Sequence, residues 1–157
     1  MEEHSALLAA SLAIMHPEMY QTGREAMIRL GNWVAGQKDP DLWDVFPLWS
    51  SVYNVVSVMA NRLSPYHTDS NGQPQWLDLL VSVGCYNGLD FVVPTIRHRL
   101  RYEPGTVIAL SGQMLEHGVG PVEGQRGVLS YYMRDNVHEY MDVPRCNYMQ
   151  SAMWGGQ

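Results

Sequence analysis

The stretch RGVLSYYMRD, Arg126 to Asp135, decides the fold. Read as an extended chain, its residues fall on two faces with a period of two. On a strand, Arg126, Val128, Ser130, Tyr132 and Arg134 share one face, and Gly127, Leu129, Tyr131 and Met133 share the other. An arginine heading an inward-facing row is costly unless its guanidinium meets an anion. Its planar fork of donors matches a carboxylate well. The alternative is a structural ion pair with Glu116 or Glu123.

Outward from this strand the text stays β. Upstream lie SSVYNVVSVMA (50–60), WLDLLVSVGCY (76–86), LDFVVP (89–94), TIRHRLRY (95–102) and TVIAL (106–110). Turn chemistry separates them at Asn71-Gly72, Asn87-Gly88, Pro104-Gly105 and Gly118 to Pro121. Before residue 45 the spacing is helical: Ser5 can cap a helix carrying Leu8, Leu12 and Met15, and His16-Pro17 interrupts it. A second helix follows with Met19, Met27 and Leu30 on its apolar side and Gly31 near its end. Six to eight short strands with helices only in front predict a mostly β, α+β architecture, a sandwich or barrel buttressed by a helical layer. The expected boundaries are 1–45 for the support helices, 46–141 for the β core and 142–157 for a poorly structured tail containing Trp154.

The bounds agree with one domain. The chain has 157 residues, 46% of them hydrophobic and 17% charged, which reads as globular rather than disordered. A net charge of −6 excludes a uniformly basic nucleic-acid coat, so any phosphate contact must be a local patch. Cys85 and Cys146 fit no ligand spacing, and reduced thiols in an intracellular protein are expected. The acidic start, Met1-Glu2-Glu3, speaks against a signal or transit peptide, and no apolar run approaches bilayer length.

The chemistry centres on SPYHTDSNGQP, Ser64 to Pro74. In an extended segment His67 and Asp69 project to one side while Thr68 faces away. An imidazole and a carboxylate are two thirds of the facial triad that binds non-haem Fe(II). His117 is the best-placed third ligand, following a strand and a turn; His98 neighbours the arginines of RHRLR, and His138 is expected at the surface. His-x-Asp, a later His and an Arg nine residues beyond it lay out a carboxylate-anchoring pocket beside an iron, on a double-stranded β-helix.

LAIMHPEMYQTGREAM (12–27), SSVYNVVSVMANRLSPYHTDSNGQPQWLDLLVSVG (50–84), YEPGTVIALSGQMLEHGV (102–119) and YYMRDNVHEYM (131–141) resemble the TET/JBP family of nucleobase-oxidising dioxygenases, most closely its single-domain fungal branch. That resemblance implies a jelly-roll, cupin-like core with Fe(II) on His67, Asp69 and His117, and 2-oxoglutarate anchored on Arg126, with O₂ as the oxidant. It implies methylated DNA as partner, a flipped-out 5-methylcytosine or thymine as substrate, and contacts to the base from Asn71, Tyr132 and Arg134. Val128 stands where better-known members carry a small hydroxyl, so Ser130 is the expected replacement, with Arg62 as a further co-substrate contact. The cysteine-rich zinc extensions of the animal enzymes are lacking. The expectation is a monomer with no zinc and no membrane, acting in the nucleus.

Plainer roles compete at several positions. Asn71-Gly72 is a standard turn, Tyr132 can be core, and Arg62 can make a surface ion pair. Arg97, Arg99 and Arg101 are either a phosphate-contacting patch or the charged guard of an edge strand. At the level of function, the alternatives are the same iron chemistry on N6-methyladenine, thymine, RNA or a small molecule, and a non-catalytic binding domain.

Overall fold

The computed structural model describes residues 2–37 and 39–150, Glu2 by its backbone alone, so Trp154 and the end of the expected tail lie outside the described residues. Two compact units emerge: Met1–Asn54 with Met133–Gln157, and Val55–Tyr132.

The first unit is helical. Helices α1 (Glu2–Met15), α2 (Pro17–Ala35), α3 (Pro40–Val45) and α4 (Asp135–Tyr140) build it. Leu8 and Leu12 of α1 are buried, as their spacing predicts. His16 breaks α1 from α2 and caps the latter, its ring Nδ1 accepting the Met19 N–H at 3.3 Å. Proline at the first position of α2 suits that start, because an unpaired N–H there is lost without penalty. Three local expectations need correction. Ser5 is a buried residue inside α1 rather than its cap, since the helix already begins at Glu2. Gly31 lies within α2, which continues to Ala35 and ends at Gly36. His138, expected at the surface, is 1% exposed on α4, and burial lowers its pKa.

The second unit is all β. Its strands are β1 (Val55–Ala60), β2 (Ser64–His67), β3 (Asp78–Tyr86), β4 (Asp90–Val93), β5 (His98–Arg101), β6 (Val107–Leu110), β7 (His117–Val119) and β8 (Gly124–Tyr132). They form two four-stranded sheets, β1-β8-β3-β6 and β2-β7-β4-β5, paired antiparallel throughout. This is the expected jelly roll. Strand β8 sits between β1 and β3, with Ser57 and Leu80 opposite Ser130, and Ser82 opposite Val128. Leu80, Ile108, Leu110 and Val128 from one sheet cluster with Phe91, Val93 and Val119 from the other as the core. The pairing of β8 stops at Tyr132, so Arg134 is not on the strand and belongs to the helical unit. Its N–H bonds to Asn54 Oδ1 at 2.8 Å instead, and α4 begins one residue later.

Gly84 lies opposite Arg126 with φ +124°, where a Cβ would run into the Gln125 backbone. Only glycine takes this conformation readily, and it stands opposite the one charged side chain of β8.

Candidate metal centre and anion pocket

The short β2–β7 pair places His67 directly opposite His117. Two residues beyond His67 the chain leaves the strand, and the Asp69 N–H is caught by the Gly112 carbonyl at 2.9 Å. One ligand atom from each of His67, Asp69 and His117 then lies within 4.8 Å of the others. His67 Nε2 stands 3.7 Å from Asp69 Oδ1, and His117 Nε2 stands 3.8 Å from Asp69 Oδ2.

The backbone sets the tautomers. His67 Nδ1 lies 2.8 Å from the Pro65 carbonyl and His117 Nδ1 lies 2.9 Å from the Leu115 carbonyl. A carbonyl only accepts, so each Nδ1 carries a proton, and Nε2 is the ring atom aimed at the carboxylate and available to a metal. Two neutral imidazoles and a carboxylate meeting on one side form a donor set that fits a divalent transition metal and leaves coordination positions free. His117 is 4% exposed and stacks on Phe91, with ring centroids 5.5 Å apart, whereas Asp69 keeps about half its side chain in solvent.

A second carboxylate stands behind the first, and the sequence reading missed it. Asp78, at the head of β3, is buried, and a Cβ on Gly112 would collide with both its carboxyl and that of Asp69. Burial, and then the charge of Asp69, raise the Asp78 pKa to about 7, against a hydrogen bond from the Gly112 backbone that lowers it. The folded metal-free protein thus holds this proton more tightly than the unfolded chain. The stability this provides is complete below pH 3.8 and is lost as pH rises through about 7. A rise from 3.8 to about 7 corresponds to roughly 4 kcal/mol. In urea denaturation with chelator present, wild type is expected to weaken by that order between pH 4 and 7, and Asp78→Asn to lose most of the dependence. Equal pH profiles would refute the shift. Gly112→Ala is expected to displace Asp69 and lower Mn(II) affinity about 10-fold or more, by calorimetric titration. An unchanged affinity would mean that Asp69 has room to move.

Arg126 is 8% exposed on β8. Its backbone N–H bonds to Asn61 Oδ1 at 2.8 Å, and Nη1 donates to the Arg62 carbonyl at 3.1 Å. Its guanidinium lies 5.4 Å over the Tyr102 ring, and its Nε is buried with no hydrogen-bond partner among the described residues. Neither Glu116 nor Glu123 pairs with it among the described residues, which sets the structural ion pair aside. Arg126 also lines a cavity of about 190 Å³ together with Asn61, Arg62, Leu63 and Val122. A buried guanidinium with an unsatisfied donor beside empty space is a site for an anion.

The other expected residues scatter. Tyr132 lies within the β unit, its hydroxyl 3.1 Å from Ser57 Oγ. Asn71 is exposed in the bend after Asp69. Arg99 pairs with Asp90, and Arg101 with Asp90 and Glu103, on the edge strand β5. Arg97 precedes that strand in a left-handed conformation with φ +52°. These pairings suit the guard of an edge strand.

A jelly roll on which two histidines and an aspartate converge, with a buried arginine on another strand of the same unit, fits the framework of a non-haem iron oxygenase. Over residues 1–135 the chain matches the family model described as the oxygenase domain of the 2OGFeDO superfamily, and it belongs to that Tet/JBP family. Among fifteen matching chains of solved structures is NgTET1 in complex with 5mC DNA, with a TM-score of 0.52 at 14% identity. The similarity covers 78% of this chain and 47% of that one, so this chain spans about half the length of that relative. No curated protein matches by sequence.

Proposed function

We propose that the β unit is the catalytic core of an Fe(II)/2-oxoglutarate-dependent dioxygenase that hydroxylates the methyl group of a base extruded from DNA, with 5-methylcytosine as first substrate. Family membership supports the oxygenase class. The observation that carries the reading is the pair of Nε2 atoms facing Asp69, each ring held by a backbone carbonyl at its Nδ1. On this reading His67, Asp69 and His117 hold the iron, and Arg126 takes the distal carboxylate of 2-oxoglutarate with Arg62 beside it. When bound, the iron activates O₂ with 2-oxoglutarate as the two-electron reductant.

The chain's own part is to bind, orient and exclude water. The target methyl must leave the stack to reach His67 and Asp69, at roughly a few kcal/mol of unstacking. Stacking on Tyr132 returns about 1–3 kcal/mol, and Asn71, in the bend after Asp69, reads the base edge. The support for this reading comes from the β unit; the base-edge contact expected of Arg134 lies in the other unit. Action on DNA would place the protein in the nucleus.

The test is succinate release from 2-oxoglutarate with Fe(II), O₂ and oligonucleotides that are unmethylated or carry 5-methylcytosine or N6-methyladenine, followed by mass spectrometry of the nucleosides. Hydroxymethylcytosine is the expected product. Loss of methyladenine instead would keep the iron chemistry and overturn the substrate. Neither metal binding nor succinate would leave a non-catalytic domain.

A further inference from the structure

Arg126 needs company to hold a carboxylate, and Val128, its neighbour on the same strand face, has no donor to offer. Ser130 lies four residues along β8, about 13 Å from Arg126 at the strand rise of about 3.3 Å per residue. Tyr102 is much closer, with the guanidinium 5.4 Å over its ring. We propose that the Tyr102 hydroxyl is a second hydrogen-bond donor to the carboxylate held by Arg126, a positioning residue for the distal end of 2-oxoglutarate. The inference rests on the co-substrate reading above.

Everything about Tyr102 except its hydroxyl is already committed. Its N–H bonds to the Leu89 carbonyl at 2.9 Å, and its own carbonyl accepts the Tyr86 hydroxyl at 2.7 Å. Tyr86 is itself tied to Ser82. The Phe91 and Tyr102 rings meet edge to face with centroids 5.5 Å apart, and Phe91 also stacks on His117. One phenyl group therefore separates a metal-facing imidazole from Tyr102. Tyr102 is 1% exposed, and its buried phenol oxygen has no hydrogen-bond partner among the described residues. The guanidinium is near enough to lower the phenol's pKa somewhat, yet no hydrogen bond of proper geometry joins the two. Burial outweighs it and pushes the pKa to about 12, so the phenol keeps its proton and can donate to an anion. Two buried, unsatisfied donors, Arg126 Nε and Tyr102 OH, are thus left on neighbouring side chains. A carboxylate has an oxygen for each.

The experiment titrates Mn(II)-loaded protein, without O₂, with 2-oxoglutarate and with pyruvate, which lacks the distal carboxylate. Tyr102→Phe is expected to weaken 2-oxoglutarate about 10- to 100-fold, and to leave pyruvate and Mn(II) affinities unchanged. The metal-free variant is expected to melt no lower than wild type, because it loses an unpaired hydroxyl rather than a bond. Wild-type affinity for 2-oxoglutarate in Tyr102→Phe overturns the inference and leaves the co-substrate reading standing. Equal losses for both acids, weaker Mn(II) binding, or a lower melting temperature make Tyr102 a scaffold residue and overturn it too. If wild type itself binds no 2-oxoglutarate, the co-substrate reading fails first.

Discussion

Asp69→Ala is expected to lower Mn(II) affinity by at least about 100-fold and to reduce succinate release to background. The size follows from the donor set. His67 and His117 contribute neutral imidazoles, so Asp69 supplies all the negative charge among the three donors, and it lies 3.7 and 3.8 Å from their Nε2 atoms. Removing it leaves two ligands from facing strands and no counter-charge. With about half its side chain in solvent, Asp69 has little packing to lose, so the fold is expected to survive. Calorimetric titration of wild type and variant decides the matter. Near-wild-type affinity in Asp69→Ala would remove the aspartate from the centre and end the triad reading.

Arg126→Met is expected to weaken 2-oxoglutarate about 30- to 100-fold while Mn(II) affinity holds. Truncating one partner of a buried charge pair costs about 2–5 kcal/mol, and the lower part of that range suits a site where other donors remain. The same variant is expected to be at least as stable as wild type without ligand, because the guanidinium is buried with Nε unpaired and no carboxylate against it. Arg126→Lys keeps the charge but not the fork, and is expected to fall between the two. A fall in stability without any change in 2-oxoglutarate affinity would return Arg126 to a structural role.

Much of this was legible in the chain, and the failures have common causes. Alternation in RGVLSYYMRD reports which side a residue takes, and Arg126 and Val128 are buried as it expects, but Tyr131 and Met133 of the other row are buried more deeply than Ser130 and Tyr132. It does not report where hydrogen bonding ends. Arg134 keeps extended dihedrals past the last paired residue, so the pattern runs on into another unit. His67 and His117 are 50 positions apart, and their opposition across β2 and β7 is a long-range fact that local period cannot supply. The place of His117 after a strand and a turn made it the best candidate partner, and the resemblance to a family agreed; neither shows that the two strands pair. Asp78 and Tyr102 were missed for a different reason. Each sits at the margin of an apolar strand text, where a polar residue passes for punctuation, and burial alone reveals its chemistry. His138 follows the same rule. Polar residues near a chain end are assumed to be wet, and this one is enclosed.

The register of β2 has a further consequence. This strand is the outer member of its sheet, and its pairing with β7 is short and slips between Ser64 and His67. Few backbone bonds hold it there. An ion shared by His67, Asp69 and His117 would act as a clasp on that loose margin, joining the free-edged strand to its neighbour through side chains. Loading the centre and seating the strand then become one equilibrium, so the site would be least ordered when it is empty.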